Sequence, residues 1–215
     1  MVIAIDGPAG SGKSALATMI AERLHYFLLN SGYFYRAVTY KSITGQIAHN
    51  DGKALALLAE NTTFKLDNGK FLVDNNDLSP FLHSDEISKA VASVSSYEEL
   101  REVLNRKMRL LAEGRDVVCE GRDMTTVVFP DAEVKIYLDA SVKVRAKRRF
   151  DQRVSSMSLD EIEKTIHDRD EIDKNKKIGA LKIASDAYYI DSSDLSLEEI
   201  YDKIFTMIKQ KNRSL

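Results

Sequence analysis

Short apolar runs recur along the chain at Val2–Ile5, Phe27–Leu29, Val117–Cys119, Val134–Leu138 and Ala187–Ile190. Runs this short without strict alternation predict strands buried on both faces, as in a parallel sheet. Between most of them, apolar residues return at helical spacing: Leu16, Ile20 and Leu24, and later Leu100, Val103, Leu104, Met108 and Leu111. Each set forms one stripe of an amphipathic helix. Strands alternating with such helices predict an α/β sandwich around a parallel sheet. Residues 63–82 break the rhythm. There Phe64-Lys65-Leu66 and Lys70-Phe71-Leu72-Val73 flank Asp67-Asn68-Gly69, which predicts an inserted antiparallel hairpin with a glycine turn.

Residues 141–177 are dense in charge, with Arg145, Lys147, Arg148, Arg149 and Arg153, then Asp168-Arg169-Asp170 and Lys174-Asn175-Lys176-Lys177. The pattern predicts helices protruding from the core; for the first cluster, a plain solvated face is as good a reading as a functional one. A chain of 215 residues with 44% hydrophobic content can bury a substantial core, which excludes general disorder and fits one compact domain with an inserted piece. The balance of 31 basic and 33 acidic residues excludes bulk attraction to nucleic acid or anionic membrane, so any anion site must be local. A lone cysteine, Cys119, cannot form an internal disulfide, and it reads as a core residue in a reducing, cytoplasmic setting. The apolar start at Met1–Ile5 is interrupted by Asp6 and lacks a basic lead-in, so it predicts neither a signal nor a membrane segment.

One motif carries specific chemistry. Gly7-Pro8-Ala9-Gly10-Ser11-Gly12-Lys13-Ser14 fits G-x-x-x-x-G-K-[ST], and it stands between a predicted strand and a predicted helix, as a phosphate-binding loop must. Glycines let consecutive backbone N–H groups converge on phosphate oxygens, and the helix N-terminus adds partial positive charge. Lys13 is expected to bridge the β- and γ-phosphates of a nucleotide and Ser14 to offer its hydroxyl to Mg²⁺. The same stretch also satisfies G-x-G-x-x-[GA], but the dinucleotide reading fails because Phe27–Tyr35 contains no acid to hold a ribose.

A phosphate-binding loop does not distinguish kinases from switches or motors. The chain has no D-x-x-G, N-K-x-D, H-R-D or D-F-G motif, and His25, His49, His83 and His167 are isolated along it. Arginines stand out instead: Arg36 and Arg122 follow predicted strands, and Arg169 lies in the late charged segment. Guanidinium forks opposite a phosphate cradle suit an acceptor that itself bears phosphate, with surface ion pairs as the alternative. Glu120 at the end of an apolar run either assists Mg²⁺ through water or is structural. Tyr33, Phe34 and Tyr35 either stack on a base or pack a helix face.

Over nearly its whole length the chain resembles the bacterial-type cytidylate kinases, nucleoside monophosphate kinases that transfer the ATP γ-phosphoryl group to CMP or dCMP. The resemblance rests on Ile5-Asp6-Gly7-Pro8, Leu29-Asn30-Ser31-Gly32 with Tyr35-Arg36, Glu120-Gly121-Arg122-Asp123-Met124, Thr126 to Ala132, and Lys135 to Ser141. It implies a P-loop NTP-binding three-layer sandwich with a central parallel sheet: a core at about 1–60, 83–148 and 178–215, a small antiparallel acceptor-binding insert at about 61–82, and a helical lid at about 149–177. It implies that Arg36, Arg122 and Arg169 meet the acceptor phosphate, that Asp173 meets the ribose hydroxyls, and that Arg101 and Asp123 read cytosine, with Ser31 and Lys176 completing the CMP site. A carboxylate accepting from the exocyclic amine and a guanidinium donating to ring acceptors suit cytosine rather than uracil. Lys13, Arg122 and Arg169 are the implied catalytic cations. ATP and CMP or dCMP are the expected partners of a monomer that binds neither nucleic acid nor membrane. Three departures stand out: Asn30 where the family often has aspartate, Ala92 where a serine helps hold the base, and lysines in a lid that relatives fill with arginine. A P-loop kinase acting on UMP, AMP or a shikimate-like acceptor, or a nucleotide-binding module with no transfer step, are the competing readings.

Overall fold

The structure, a computed structural model, describes residues 1–67, 69–152 and 157–212. Asn68 of the expected hairpin turn, Arg153 of the basic cluster and residues 213–215 lie outside the described residues. In chain order the elements are β1 (Val2–Asp6), α1 (Lys13–Leu24), β2 (Phe27–Asn30), α2 (Ser31–Thr44), α3 (Gly52–Glu60), β3 (Phe64–Asp67), β4 (Lys70–Val73), β5 (Asn76–Asp77), α4 (Asp85–Val94), α5 (Glu98–Ala112), β6 (Val117–Gly121), a π-helical turn (Met124–Val128), β7 (Val134–Asp139), α6 (Val142–Asp151), α7 (Leu159–Asn175), β8 (Tyr188–Asp191) and α8 (Leu197–Asn212). Every apolar run lies in a strand, the last from Tyr188 rather than Ala187, and each strand continues past its run into polar residues such as Asp6, Asn30, Glu120 or Asp139. Apolar character marks burial in β1, β6 and β7, whereas Phe27 of β2 and Tyr188 and Tyr189 of β8 are exposed, so those two runs are not buried on both faces as expected. The polar ends are where strands of an α/β sheet meet ligands.

The chain divides into two compact units, Met1–Tyr26 with Asp116–Leu215 and Phe27–Arg115. In the first, parallel strands lie in the order β6-β1-β7-β8, with Ile3 in register with Val118 on one side and Val134 on the other. Ile3, Ala4, Ile5, Val117, Val118, Cys119, Val134, Ile136 and Leu138 are fully buried, as a parallel sheet covered on both faces requires. Helix α1 packs on β1 and β6 through Leu16, Ala17 and Ile20, and α8 packs against α1 and β7. Helices α6 and α7 pack against each other around Ala146, Ile162 and Ile166. A capping box of Ser158 and Glu161 starts α7.

The second unit opens with β2 and is mostly helical, with α3 against α5 and α2 against α3 and α4. Of the predicted stripe of α5, Leu100, Leu104 and Met108 are buried and Val103 and Leu111 half-buried, and Arg101, Asn105 and Ala112 are buried with them. The expected hairpin is present, with Phe64 opposite Val73 and Leu66 opposite Phe71. Its third strand, β5, was not legible because Asn76–Asp77 is short and polar. Phe34 stands 4.9 Å from Phe64 and 4.8 Å from Phe71 between ring centroids, so its ring is used in packing. Among the described residues no helix is long and apolar enough to cross a membrane.

Candidate active site

The phosphate-binding loop leaves β1 at Asp6 and re-enters regular structure at Lys13, the first residue of α1. Its path demands glycine where the backbone runs against its neighbour. A Cβ on Gly7 would lie 2.0 Å from the Leu138 carbonyl oxygen of β7, and Gly12, preceding α1, has φ +99°. The Lys13 side chain is 5% exposed and folds back over the loop, donating from Nζ to the Pro8 carbonyl at 2.7 Å and to Ser11 Oγ at 3.5 Å. Its pKa is lowered to about 7: burial is the main cause, repulsion by Arg122 adds to it, Glu120 and Asp6 oppose it, and Arg169 again lowers it. An ammonium so placed gains from any phosphate brought to it.

Ser14 Oγ donates to Glu120 Oε1 at 2.8 Å, joining the start of α1 to the end of β6. A hydroxyl beside a carboxylate is an all-oxygen donor set, which fits a Mg²⁺ that keeps most of its ligands from phosphate and water. Among the described residues no group of three His, Cys, Asp or Glu side chains is placed to hold a metal ion. Buried Cys119 lies next to Glu120, and burial pushes its thiol pKa well up.

After β6 the chain turns through Arg122 and Asp123 into the π-helical turn. Asp123 is buried, and its carbonyl accepts from Val127 N at 2.9 Å and Val128 N at 3.1 Å. Arg122 Nε donates to Asp173 Oδ2 at 2.9 Å, and Lys176 Nζ donates to Asp173 Oδ1 at 2.9 Å. Burial pushes the Asp173 carboxyl up, but Arg122 and Lys176 together outweigh it and hold the group below the usual carboxylate range. Arg169 lies exposed on α7, one turn before Asp173. Thus Lys13, Ser14, Arg122, Asp123, Arg169, Asp173 and Lys176 all belong to the first unit.

Ser31, Arg36 and Arg101 belong to the second. Ser31 is the buried first residue of α2, preceded by Asn30, whose side chain does not cap the helix. Arg36 Nη1 donates to the Leu82 carbonyl at 2.8 Å and to Ser88 Oγ at 3.1 Å. Arg101, 5% exposed, donates to the Ser95 carbonyl at 3.2 Å, and its guanidinium carbon lies 5.4 Å from the Tyr35 ring centroid. Ala92 is exposed, and its carbonyl accepts from Ser95 Oγ at 3.1 Å.

Four residues support this machinery without having been assigned a role from sequence. Arg145 is buried. It donates to the Ala140 carbonyl at 2.8 Å, to the Ala9 carbonyl at 3.1 Å, and in a two-pronged pair to Asp170 at 3.1 and 2.5 Å. Arg148 donates to the Ser11 carbonyl at 3.3 Å and to the Ser192 carbonyl at 2.6 Å, and Ser192 Oγ donates to the Ser11 carbonyl at 3.2 Å. The basic cluster is therefore split: Arg145 and Arg148 brace the loop backbone, while Lys147 is exposed and pairs with Asp151 at 2.7 Å. Arg145 falls on the same helical face as Val142 and Ala146, a phase that could have marked it as inward-facing. The fourth is Asp6, which accepts from the π-helical turn.

A glycine-rich loop between β1 and α1 of a parallel sheet, with a buried lysine at the helix start, defines a P-loop nucleotide-binding α/β protein. Solved structures share the fold: shikimate kinase from Acinetobacter baumannii in complex with shikimate has a TM-score of 0.51 and 16% identity over 97% of this chain and 93% of that one. An uncharacterized protein from Eubacterium ventriosum ATCC 27560 has a TM-score of 0.54 and 15% identity over 97% and 98%. A family model described as cytidylate kinase matches residues 3–210, so the chain belongs to the cytidylate kinase family. Relatives with that name include one from Borrelia hermsii (strain HS1 / DAH), 41% identical over 219 residues and covering 99% of this chain and 100% of the relative. Another, from Geobacillus sp. (strain WCH70), is 39% identical over 216 residues, covering 97% and 96%.

Proposed function

We propose that the protein is a cytidylate kinase, transferring the γ-phosphoryl group of ATP to CMP or dCMP to give ADP and CDP or dCDP. One observation carries the chemistry: the Lys13 side chain is buried over the phosphate-binding loop and donates to the Pro8 carbonyl at 2.7 Å, with Arg122 and Arg169 acting on it against Glu120 and Asp6. Burial makes that ammonium costly until a polyanion reaches it, and two approaching phosphates are what this reaction brings together.

The acceptor phosphate has a second pKa near ~6, so at neutral pH it is already largely a dianion and needs no general base. One of its oxygens attacks the γ-phosphorus, the bond from that phosphorus to the β–γ bridging oxygen breaks, and the electron pair leaves with ADP. The P-loop amides of Gly7, Pro8, Ala9, Gly10, Ser11, Gly12, Lys13 and Ser14 hold the donor phosphates, with Pro8 contributing shape because it has no N–H. Lys13, Arg122 and Arg169 offset charge on the transferring group. Ser31, Arg36, Arg101, Arg122, Asp123, Arg169, Asp173 and Lys176 bind CMP in the roles the family resemblance implies. The Arg122–Asp173–Lys176 contact supports these roles by joining a phosphate cation to the ribose acid. Ser14, with Glu120 through water, would hold Mg²⁺, which when bound neutralises phosphate charge. The division into a core, an acceptor insert at about 61–82 and a lid at about 149–177 belongs to the same proposal, with the lid excluding water that would otherwise take the phosphoryl group. A monomer in the cytoplasm suits the reading.

A coupled assay of ADP formation from Mg²⁺ and ATP tests it against CMP, dCMP, UMP, AMP and shikimate. CMP or dCMP is expected to support the fastest turnover. If UMP or AMP matches them, the cytosine assignment is wrong, and if no acceptor stimulates ADP release, the transfer reading is wrong.

A further inference from the structure

The Asp6 side chain is completely buried at the end of β1, one residue before the phosphate-binding loop. Its carboxylate does not face that loop's own amides. Oδ1 accepts from Met124 N at 2.9 Å, and Oδ2 accepts from Thr125 N at 2.7 Å and from Thr125 Oγ1 at 2.6 Å. Met124 and Thr125 open the π-helical turn, where the first N–H groups have no partner within the helix. The usual solution is a cap from the residue just before the helix, but Asp123, which holds that position, makes no side-chain cap bond. A carboxylate from a separate strand does the work, so this cap joins two segments 118 residues apart in sequence.

We propose that Asp6 is a positioning residue for phosphoryl transfer: by clamping Met124 and Thr125 it fixes the bend that carries Arg122 and Asp123. The proposal rests on the cytidylate kinase reading, which gives Arg122 the acceptor phosphate and Asp123 the base. Three donors converge on two oxygens that have no N–H to offer in return, and this pattern selects a carboxylate over an amide. Burial pushes the Asp6 pKa up to about 6 against these three hydrogen bonds, so near neutral pH the group remains largely ionised. The adjacent ammonium of Lys13 gains from the same charge. Because the clamp reaches the Arg122–Asp123 bend and not the P-loop amides, its loss should act on the acceptor side of the reaction more than on the donor side.

The test uses the full chain with Asp6→Asn, Thr125→Val and Thr125→Ser. Asparagine loses the second anionic oxygen and turns an NH2 toward a donor, and valine removes one of the three donors. Asp6→Asn is expected to lower kcat/KM for CMP by about a hundredfold, with a smaller loss toward ATP because Lys13 loses a favourable charge, and Thr125→Val by about three- to tenfold with the KM for ATP within about twofold of the parent, while Thr125→Ser stays close to the parent. Amide hydrogen exchange at Met124 and Thr125, read without substrate, is expected to rise by about tenfold or more in Asp6→Asn. Equal losses toward ATP and CMP would reduce Asp6 to a support of the P-loop and overturn the proposal. Unchanged CMP parameters in both Asp6→Asn and Thr125→Val, or unchanged protection of the two amides, would overturn it as well. A parent protein without CMP-dependent turnover would defeat the cytidylate reading, while the exchange measurement would still decide whether Asp6 holds the bend.

Discussion

Lys13 shows how a single side chain can be legible in its role and opaque in its energetics. The G-x-x-x-x-G-K-[ST] pattern identifies it because only that spacing puts a lysine at the first turn after a phosphate cradle. Nothing in the spacing shows that the ammonium is buried near Arg122 and Arg169, because those residues approach it from distant parts of the chain. The depressed pKa has a definite consequence for stability. Between about 7 and 10.5 the unfolded chain binds more protons at Lys13 than the folded one, so stability from this group grows as pH rises through that window and is lost as pH falls to 7. Below 7 the folded protein carries the full penalty of a buried, poorly solvated charge. Lys13→Met is therefore expected to be more stable than the parent at pH 6, with a smaller advantage at pH 9, while losing turnover. Urea denaturation of both proteins at the two pH values checks this; an advantage independent of pH would mean that the ammonium is not the destabilising group.

Helix α6 marks where pattern reasoning stops at the level of an element. Its charges, Arg145, Lys147, Arg148 and Arg149, fit a solvated face as well as a functional one, and sequence alone cannot separate the two because a guanidinium is equally at home in water or against a carbonyl. The strands were easier, since apolar runs have few alternatives in a chain with this alternation, and α1 and α5 follow from unbroken apolar stripes. The polar strand β5 and the π-helical turn left no such pattern: one is two residues long, and the other is held by Asp6 from a separate strand. Within α6, Arg145 joins the Ala9 carbonyl of the loop to Asp170 of α7. Removing one member of a buried ion pair leaves the other charge unpaired, so Arg145→Ala is expected to cost about 3–5 kcal/mol of stability. Replacing both charges, as Arg145→Met with Asp170→Leu, should restore most of that stability, because apolar packing substitutes well for a desolvated pair. The double variant should still bind ATP more weakly than the parent, since the Ala9 carbonyl loses its donor. Thermal melts with ATP titrations separate the two effects, and recovery of both would show that Arg145 serves packing alone.

At the scale of the whole molecule, the proposed donor residues lie in the unit made of Met1–Tyr26 and Asp116–Leu215, whereas Ser31, Arg36 and Arg101 lie in Phe27–Arg115. The motifs made each residue set recognisable separately, because phosphate chemistry imposes a loop on one and the family resemblance marks the other. Ligand linkage can test the division without measuring turnover. A ligand that binds only the folded state stabilises it by RT ln(1 + [L]/Kd), or about 2.7 kcal/mol at a hundredfold excess over Kd, so each nucleotide reports its own site as a shift in melting temperature. For the parent, ATP and CMP are each expected to raise the melting temperature. Lys13→Ala should lose most of the ATP shift and keep the CMP shift, because Lys13 touches only donor phosphates in the proposed arrangement. Arg101→Ala should show the opposite: an intact ATP shift, a diminished CMP shift, and a ratio of CMP to UMP shifts that falls toward one as the guanidinium that donates to the base is removed. Differential scanning fluorimetry over a concentration series of each nucleotide supplies all of these values. If either substitution abolished both shifts, assigning the donor to Lys13 and the base to Arg101 would be wrong, whatever the residual activity.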